Sequence, residues 1–565
     1  MRLFSPLLIL APVTLVYSLP PLPPSNASAV SNNDIFSNLV VHESRSVFPD
    51  GFVNSGAASA SQVLNLRIGL AQGNMSGLAR RHEAVSTPGS AEYGKHLSKE
   101  VVEAHVKPTN ETTAAVEEWL DAKGLNAFSA SPAGDWLALL MTVAQASTLF
   151  DAEFSVFTYE KTGEQLVRTL AYSLPAVLLG HVEFDISSSS KPSVSMSSTA
   201  GVSNVTSRAI PASCTKSITP ACLQALYSIP TTKATQLSNS IGVTGFSNEF
   251  ANQDDLTIFL KSLRSDISSS TSSNMTSAAG PLANLNMQYT VGIATGVPAT
   301  LISVGDASMD GFMDVATFLL SQSNPPHVVT TSYGQNEGSI SRAVATNLCN
   351  AYMQLGARGI TVLFSSGNGG VAGESSASCT SFVPTFPSTC PYVTSVGVTS
   401  MTTAGLETAA SFSAGGFSNY FATPSYQTSA VSSFLVESSS LEEDIVSKFN
   451  RSGRAFPDVA AQGQNLEFVL YGEMCSATTS GSATPIVASV IALLNDELIA
   501  NRRPPLGFLN PLLYSPSFSA AFNDIVSGSN AGCNAQGFTA RKGWDPITGL
   551  GTPNFAKLRN SIGLS

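Results

Sequence analysis

The stretch of residues 328–366, VVTTSYGQNEGSISRAVATNLCNAYMQLGARGITVLFSS, decides the fold class. Apolar runs of strand length begin and end it, and residues 341–355 between them have the apolar spacing of a helix. Two strands joined by a helix are typical of the βαβ unit, whose strands lie parallel. The alternation continues on both sides, with strands predicted over 241–246, 301–305 and 392–398 and helices over 253–263, 309–322 and 485–499. We therefore predict an α/β fold, a mostly parallel sheet with helices on both faces.

Residues 42–182 have a different composition, because they contain no cysteine and five of the six histidines. A helix is predicted there over 111–123 and a strand over 136–143. Residues 187–208 are Ser-rich, nearly uncharged and without periodicity, which is typical of an exposed linker that proteases cut. We therefore divide the chain into a signal peptide, a first domain, a linker and a large second domain, at residues 1–18, 19–186, 187–208 and 209–565.

The amino-acid composition excludes several classes of protein. The 565 residues carry 28 Lys+Arg against 39 Asp+Glu, a net charge of −11, which argues against a general nucleic-acid binder. Because 43% of the residues are hydrophobic and only 12% are charged, the chain is not disordered throughout.

The N-terminal residues 1–18, MRLFSPLLILAPVTLVYS, have the pattern of a secretory signal peptide. Their apolar run is shorter than the ~20 residues that span a membrane, and we expect no later stretch to reach that length. We therefore predict a soluble, secreted, extracellular protein without a membrane partner. In an exported chain the Asn-x-Ser/Thr sequons are candidate glycan sites, and they lie at Asn26, Asn74, Asn110, Asn204, Asn274 and Asn450.

Seven cysteines predict disulfides in an oxidising compartment, and the odd number leaves at least one thiol without a partner in the chain. Cys214 and Cys222 are close enough in sequence to close a local loop. The pairing stays open for the others, which are Cys349, Cys379, Cys390, Cys475 and Cys533. No C-x-x-C pair occurs, so a zinc ribbon is not expected.

Two motifs in the second domain are better explained by structure than by catalysis. His327 is the single histidine after the linker, so a Ser-His-Asp triad there would have to use it. Its place at the start of an apolar strand favours a structural imidazole, and its isolation excludes a metal site built on several histidines. Gly367-x-Gly369-x-x-Ala372 loosely resembles a dinucleotide-binding loop, but no helix pattern follows it, and we interpret it as a turn.

Two aspartates on glycine-rich loops near the C-terminus form a candidate calcium site. Asp524 lies beside Ile525, and Asp545 follows Arg541 and Gly543. Calcium takes about six to eight oxygen ligands, typically from carboxylates, backbone carbonyls and water. On spacing alone, two loop aspartates more often cap turns, so both interpretations stay open.

Longer motifs make the chain resemble fungal members of the sedolisin family, the serine-carboxyl peptidases that include tripeptidyl-peptidases. SAEYGKHLSKE at 90–100 is similar to the family's prodomain, and CTKSITPACLQALYSIPTT at 214–232 resembles the start of its mature enzyme. Further long matches are QYTVGIATGVP at 288–298, VPTFPSTCPYVTSVG at 383–397, PIVASVIALLND at 485–496 and GWDPITGLGTPNF at 543–555. The resemblance implies a subtilisin-like parallel sheet behind an α+β, ferredoxin-like prodomain. It also implies one structural Ca²⁺ held by Asp524, Ile525, Arg541, Gly543 and Asp545, although the family usually has Gly where Arg541 stands.

The same resemblance places substitutions at all four catalytic positions. The family uses a Ser nucleophile, a Glu base with an Asp partner, and a further Asp that helps to form the oxyanion hole. In LANLNMQY the Glu position holds Leu282 and the Asp position holds Asn286. In FSSGNGG the oxyanion position holds Asn368, and in TSGSATP the Ser position holds Gly481. Leu282 cannot accept a proton and Gly481 has no nucleophile, whereas Asn368 could still donate a hydrogen bond to an oxyanion.

Ser480, which flanks Gly481, is the candidate for a displaced nucleophile. A one-residue shift rotates a side chain on a helix by about 100°, so only a local bulge would bring Ser480 into the slot. It would still lack a carboxylate base, because nothing places Asp254 and Asp255 of an earlier helix in the cleft.

We therefore predict a secreted, monomeric sedolisin homologue that is catalytically inactive. Peptides or unfolded proteins in the former substrate cleft and its own prodomain are the expected partners. An active acid peptidase, either a tripeptidyl-peptidase or an endopeptidase that uses Ser480, is the alternative. A structural cell-wall or matrix glycoprotein is the third hypothesis.

Overall fold

The structure is a computed structural model that describes residues 35–45, 52–159, 163, 165–183, 198–199, 210–267, 279–305, 309–374, 379–437 and 443–564. The predicted signal peptide, most of the predicted linker and the sequons at Asn26, Asn204 and Asn274 lie outside these residues. Asn74 and Asn110 are exposed in the first domain.

The first domain, the prodomain of the predicted architecture, consists of small antiparallel sheets with helices packed on them. Its strands pair as β1–β8, β2–β6–β7 and β3–β5–β4, and they are β1 Leu39–Ser44, β2 Phe52–Ala57, β3 Val63–Gly69, β4 Ala127–Ser129, β5 Trp136–Thr142, β6 Phe154–Tyr159, β7 Gln165–Thr169 and β8 Ala171–Pro175. Its helices are α1 Met75–Ser86, α2 Lys99–Val106, α3 Asn110–Ala122 and α4 Val143–Phe150. The core contains Leu64, Leu66 and Ile68 at alternate positions of β3, as expected for a strand with one buried face.

The second domain is built on a parallel sheet, as predicted. Parallel pairing joins six strands in the order β20-β16-β14-β12-β10-β11, and they are β10 Ile241–Gly245, β11 Ala299–Ser303, β12 Val328–Thr331, β14 Thr361–Ser365, β16 Thr394–Met401 and β20 Val459–Gln462. Two short antiparallel strands lie at its edges: β9 Ser198–Thr199, from the predicted linker, on β11, and β17 Glu407–Ala409 on β16. Outside this sheet lie β13 Gln335–Asn336, β15 Thr385–Phe386, β18 Gly416–Ala422, β19 Gly453–Phe456, β21 Leu466–Leu470, β22 Glu473–Ala477, β23 Phe522–Asn523 and β24 Thr552–Pro553.

Helices cover both faces of the sheet, and each face has its own apolar cluster. One cluster includes Leu285 of α7 and Ile491 of α12, and the other includes Phe312 of α8 and Leu348 of α9. The helices of the second domain are α5 Pro220–Leu226, α6 Gln253–Leu263, α7 Pro281–Ile293, α8 Met309–Ser321, α9 Arg342–Ala357, α10 Thr428–Glu437, α11 Glu443–Val446, α12 Ser480–Ala500, α13 Asn510–Leu513, α14 Pro516–Ser519 and α15 Phe555–Ser561.

Helix α12 departs from the prediction in two ways. It begins at Ser480, so Pro485 lies inside the helix and not in its first turn. A proline there cannot donate to the carbonyl of Gly481, and the hydroxyl of Ser332 donates to that oxygen instead, at 2.7 Å. By length and composition α12 is also apolar enough to cross a membrane, contrary to the expectation, but 83% of its apolar window is buried in the protein. It is the core helix of this domain.

The disulfides resolve the pairing that the sequence left open. Cys214 pairs with Cys222, closing the local loop that their spacing predicted. The other two disulfides join Cys349 to Cys390 and Cys379 to Cys533, and Cys475 is the free thiol.

Candidate functional site

Three of the residues predicted at the four family positions, Leu282, Asn368 and Gly481, meet at the N-terminus of α12. Helix α12 follows the hairpin of β21 and β22 and starts near the carboxyl ends of the parallel strands β12 and β14. Ser332 is the residue after β12, and Asn368 lies in the turn after β14. In open α/β sheets, ligands bind at this carboxyl edge of the strands.

Leu282 and Gly481 are in direct contact. A Cβ atom built on Gly481 would lie 2.8 Å from Cδ1 of Leu282 and 3.1 Å from Cβ of Ser332. Real Cβ atoms do not approach other atoms within 3.0 Å, so a side chain at position 481 would require the end of the partly exposed Leu282 side chain to move. The residues predicted at the Glu and Ser positions of the family are therefore adjacent in this chain, where they place a methyl group beside a backbone without a side chain.

The start of α7 fixes the position of Leu282. The N-cap residue is Gly280, which has no side chain to satisfy the first N–H groups of the helix. The carboxylate of Glu249 takes this role and accepts from the backbone N–H groups of Leu282, at 3.1 Å, and Ala283, at 2.9 Å. The hydroxyl of Tyr333 also donates to Glu249, at 2.9 Å, and burial together with that carboxylate raises the pKa of Tyr333 above its usual range.

Asn286 lies one turn beyond Leu282 on the same side of α7 and is fully buried. Neither its amide oxygen nor its amide nitrogen has a hydrogen-bond partner among the described residues. Two other buried amides of the helix are fully engaged: Asn284 donates to Asp255 and Val469, and Gln288 exchanges two hydrogen bonds with the backbone of Val469. An unpaired buried amide is costly and rare in proteins.

Asn368 is exposed, but its amide oxygen is used to cap α12. Its Oδ1 accepts from the backbone N–H of Ser480 at 2.7 Å and from the hydroxyl of Thr479 at 3.2 Å. The Thr479 hydroxyl in turn accepts from the N–H of Gly481. The first donors of α12 are thus satisfied within the protein. The backbone N–H of Asn368 donates to the carboxylate of Glu374 at 3.0 Å.

Ser480 does not have the environment of a nucleophile. Its side chain is 1% exposed, and its hydroxyl has no hydrogen-bond partner in the described part of the chain. An activated serine needs a base within hydrogen-bond reach. The candidate carboxylate of Asp255 is engaged elsewhere, because it accepts from the backbone of Tyr471 and Gly472 at the turn of the β21–β22 hairpin.

His327 lies at the opposite end of β12 from Ser332. It precedes the first residue of the strand, whereas the cleft is beyond the last. Burial lowers its pKa. This position agrees with a structural imidazole. It excludes His327 from a catalytic triad with residues at the N-terminus of α12.

The two loops of the predicted calcium site lie against each other. The backbone N–H of Gly543 donates to Oδ2 of Asp524 at 2.9 Å, and the N–H of Arg541 donates to Oδ2 of Asp545 at 3.1 Å. Asp545 is fully buried, and its desolvation raises its pKa to about 7, against the lowering effect of N–H donors and Thr548. Carboxylates are ligands that Ca²⁺ prefers, so the two aspartates fit the ion in kind, but both oxygens of Asp545 already accept hydrogen bonds, from the backbone of Arg541, Ile547 and Thr548 and from the Thr548 hydroxyl.

A cavity of about 180 Å³ lies away from the α12 N-terminus, between the two domains. Its walls include Arg45, Arg168 and Tyr172 of the prodomain and Asp310 and Ile340 of the second domain. None of the four family positions lines it.

The sequence reasoning missed three residues of this region. Ser332 could have been found from its position directly after a predicted parallel strand, where site residues concentrate. Glu249 and Glu374 lie in loops without a recognisable motif, and only the tertiary contacts described above bring their carboxylates to Leu282 and Asn368.

Comparisons with known proteins agree with this architecture. The family described as "Pro-kumamolisin, activation domain" matches residues 50–185, and the one described as "Subtilase family" matches residues 272–501. The probable tripeptidyl-peptidase SED2 of Arthroderma benhamiae is 34% identical over 565 aligned residues, which cover 90% of this chain and 94% of that protein. The chain belongs to the sedolisin family. Its prodomain and its subtilisin-like domain are both family features.

Two further comparisons describe the extent of this sedolisin likeness. The probable tripeptidyl-peptidase SED4 of Trichophyton verrucosum is 31% identical, and the alignment covers 95% of this chain and 97% of that protein. Among solved structures, Pseudomonas sedolisin, a serine-carboxyl proteinase complexed with two molecules of pseudo-iodotyrostatin, is 23% identical. That match covers 63% of this chain and 99% of the sedolisin, with a TM-score of 0.47.

Proposed function

We propose that this chain is a catalytically inactive member of the sedolisin family that binds peptides in the former substrate cleft. The observation that carries the proposal is the contact between Leu282 and Gly481, which puts a methyl group and a backbone, and no nucleophile, at the start of α12. General-base catalysis is worth about 10²–10⁴ in rate, and covalent catalysis requires an attacking atom. With Leu282 and Gly481 at these positions, the chain lacks both the general base and the nucleophile.

The arrangement of Ser480 argues against the alternative, an active peptidase with a displaced nucleophile. The hydroxyl is buried, and the backbone N–H of Ser480 is held by Asn368, which fixes the register of the first turn of α12. The bulge that would move Ser480 into the slot is not present, because α12 is helical from this residue onward.

Several groups that remain at the α12 N-terminus suit a peptide ligand. Asn368 and Thr478 are exposed and carry hydrogen-bonding side chains, and Leu282 offers a partly exposed apolar surface between α7 and α12. Peptides combine backbone amides with apolar side chains, so this mixture fits them. The relatives SED2 and SED4 are described as probable tripeptidyl-peptidases, which supports peptides as the ligand class for the cleft.

Secretion and calcium binding complete the proposal. The N-terminal sequence and the three disulfides support export to an oxidising compartment. One structural Ca²⁺ would be held by the carboxylates of Asp524 and Asp545 and by the backbone carbonyls of Ile525, Arg541 and Gly543. Its role would be to tie the two C-terminal loops together.

The first experiment tests inactivity on the purified precursor. The full chain is incubated at acid pH with calcium, and both its own cleavage and the hydrolysis of a tripeptidyl reporter are followed. We expect an intact chain and no hydrolysis above the rate without protein. Cleavage within residues 187–208 by the protein itself would favour the active alternative.

The second experiment tests peptide binding through fluorescence anisotropy of a labelled mixed-sequence peptide library. Leu282→Lys places a charge in the cleft, and Leu237→Lys is the control, because Leu237 is 78% exposed. Leu237 also lies away from the cleft, because the backbone N–H groups of the neighbouring residues 235 and 236 donate to the carboxylate of Asp496, near the other end of α12. We expect Leu282→Lys to abolish binding and Leu237→Lys to preserve it. Absence of binding by the unmodified chain would contradict the proposed function.

A further inference from the structure

The cavity of about 180 Å³ between the two domains has a wall that combines apolar and charged side chains. Phe157 and Leu166 of the prodomain and Met309 and Ile340 of the second domain belong to its apolar part. Phe157, Met309 and Ile340 are buried. An apolar group that enters the cavity is therefore removed from water, and the free energy gained grows with the area that it buries.

Arg45 brings hydrogen-bond donors to this cavity that the protein itself does not use. Nη1 donates to the carbonyl of Ser339 across the domain boundary, at 3.0 Å. Within the described residues, the guanidinium makes no other hydrogen bond and no ion pair. A guanidinium carries five N–H donors in a planar fork that matches a carboxylate. Most of the donors of Arg45 are therefore available to an anionic group in the cavity.

Glu43 brings the opposite charge to the same cavity. It lies two residues before Arg45 at the end of β1, and alternate residues of a strand face the same side. Its Oε2 accepts from the hydroxyl of Tyr172 at 3.5 Å, and its Oε1 has no partner in the part of the chain that the structure describes. The carboxylate and the guanidinium thus line one cavity without forming an ion pair with each other.

A neighbouring hydroxyl group, that of Tyr420, responds to both charges. Burial raises the pKa of Tyr420, the charge of Arg45 lowers it, and the charge of Glu43 raises it. Coulomb interactions weaken with distance, so both charges act from nearby. Two opposite charges therefore lie near one place in the protein, and each of them keeps capacity for a further partner.

The other two charged residues of the cavity wall balance each other. Nη2 of Arg168 lies 3.8 Å from Oδ2 of Asp310, and Nη1 of Arg168 donates to the carbonyl of Val167 at 3.1 Å. Asp310 is 5% exposed, so its charge is compensated inside the protein and not by water. Glu43 and Arg45 are therefore the charged wall residues that suit a ligand.

The size of the cavity and the sum of its charges restrict the ligand. An apolar cavity of about 150 Å³ holds benzene, so a cavity of this size suits a molecule of about six to ten heavy atoms. The four charged wall residues sum to zero. A ligand with a single charge would leave either the carboxylate or the guanidinium without a partner, whereas a ligand with one charge of each sign engages both.

We propose that this cavity binds a free apolar α-amino acid of about the size of leucine. Its α-carboxylate accepts hydrogen bonds from Arg45, its α-ammonium donates to Glu43, and its side chain packs on the apolar wall. The site is separate from the former substrate cleft, so it does not depend on whether that cleft binds peptides. Because both domains contribute to the wall, the bound amino acid stabilises the arrangement in which they are joined.

Isothermal titration of the full-length chain at neutral pH tests each group of the ligand with four probes. L-Leucine has both charges and the apolar side chain, 4-methylpentanoate lacks the ammonium, 3-methylbutylamine lacks the carboxylate, and glycine lacks the side chain. We expect saturable binding of leucine with a dissociation constant of about 1 mM or lower. Each of the other probes should bind at least about tenfold more weakly. No saturable binding of leucine, or equal binding of any other probe, would overturn the proposal.

Variants of the two charged residues assign the binding to the cavity. Arg45→Gln and Glu43→Gln should each weaken the binding of leucine by at least about tenfold. The matched controls Arg80→Gln and Glu111→Gln, exposed on α1 and α3 of the same domain, should bind leucine as the unmodified chain does. Unchanged binding in both cavity variants would overturn the proposal. Loss of leucine binding in Leu282→Lys would place the amino acid in the former substrate cleft and would overturn it as well.

Hydrogen exchange of the unmodified chain locates the ligand if a cavity variant does not fold. Residues 165–172 and 335–341 contain several residues of the cavity wall, and residues 478–482 lie at the former substrate cleft. We expect saturating leucine to slow amide exchange in the first two segments and to leave the third unchanged. Slower exchange in residues 478–482 alone, or in none of the three segments, would contradict the assigned site.

Discussion

Cδ1 of Leu282 lies 2.8 Å from the point at which Gly481 would carry a Cβ atom. The two positions are therefore coupled: a side chain at 481 requires the side chain of Leu282 to move or to be smaller. One reversion by itself does not restore the family arrangement.

The first prediction concerns the stability of single reversions. Gly481→Ser should destabilise the protein by up to about 3 kcal/mol, the range of overpacking, and the double variant with Leu282→Ala should lose less stability than the sum of the two single changes. Denaturant unfolding of the two single variants and the double variant measures the coupling. Gly338→Ser is the control, because a Cβ there has nothing within 4 Å. Additive effects at 282 and 481 would show that the two residues are not in contact.

The second prediction concerns the unpaired amide of Asn286. Asn286→Leu should raise the free energy of unfolding by about 1–3 kcal/mol, because it removes a buried polar group without partners and keeps a similar volume. Asn284→Leu, two residues away on α7, is the matched control and should destabilise, since Asn284 bonds to Asp255, Val469 and Asn252. A loss of stability in Asn286→Leu equal to that of Asn284→Leu would show that Asn286 has a partner.

Local sequence signals accounted for much of the fold. Helix α6 begins and ends where the pattern placed it, because Asn252 caps it, Asp254 and Asp255 lie in its first turn and Lys261 lies in its last. The parallel sheet followed from the alternation of strands and helices.

The starts of two helices and the contacts within the candidate site depend on tertiary interactions, which the local sequence pattern does not contain. The true start of α12 depends on the hydroxyl of Ser332, which replaces the N–H that Pro485 lacks. The start of α7 depends on Glu249, more than 30 residues away in sequence. The family motif identified Leu282 and Gly481, but their contact, and the absence of partners for Asn286, required coordinates.

The third prediction concerns calcium. Calcium in excess of its dissociation constant should raise the melting temperature of the full chain, and a 100-fold excess corresponds to about 2.7 kcal/mol. Asp524→Asn and Asp545→Asn should each lose this response in scanning calorimetry, and the exposed control Asp121→Asn should keep it. Equal melting temperatures with calcium and with a chelator would contradict the site.

The fourth prediction concerns the buried carboxyl group of Glu407, which accepts hydrogen bonds from Tyr227, Thr399 and Thr552. Burial raises its pKa, so the folded state binds this proton more tightly than the unfolded state does. The stabilisation is complete below the unfolded pKa of about 4.3 and is lost as the pH rises through the folded pKa.

Glu407→Gln should therefore reduce the dependence of stability on pH in this range. Denaturant midpoints of the second domain, measured at acid and neutral pH, test this against the control Glu473→Gln, whose side chain is exposed. Between acid and neutral pH, the stability of Glu407→Gln should decrease less than the stability of the control Glu473→Gln. The same decrease in both variants would mean that Glu407 is not desolvated.

Hydrolysis of a tripeptidyl reporter at acid pH, with calcium, tests most directly whether the cleft is inactive for the reason given. The unmodified chain is compared with the variant that carries Leu282→Glu, Asn286→Asp, Asn368→Asp and Gly481→Ser, and with the same variant lacking Gly481→Ser. We predict hydrolysis by the complete variant alone. Hydrolysis by the unmodified chain that Ser480→Ala abolishes would contradict the loss of catalysis.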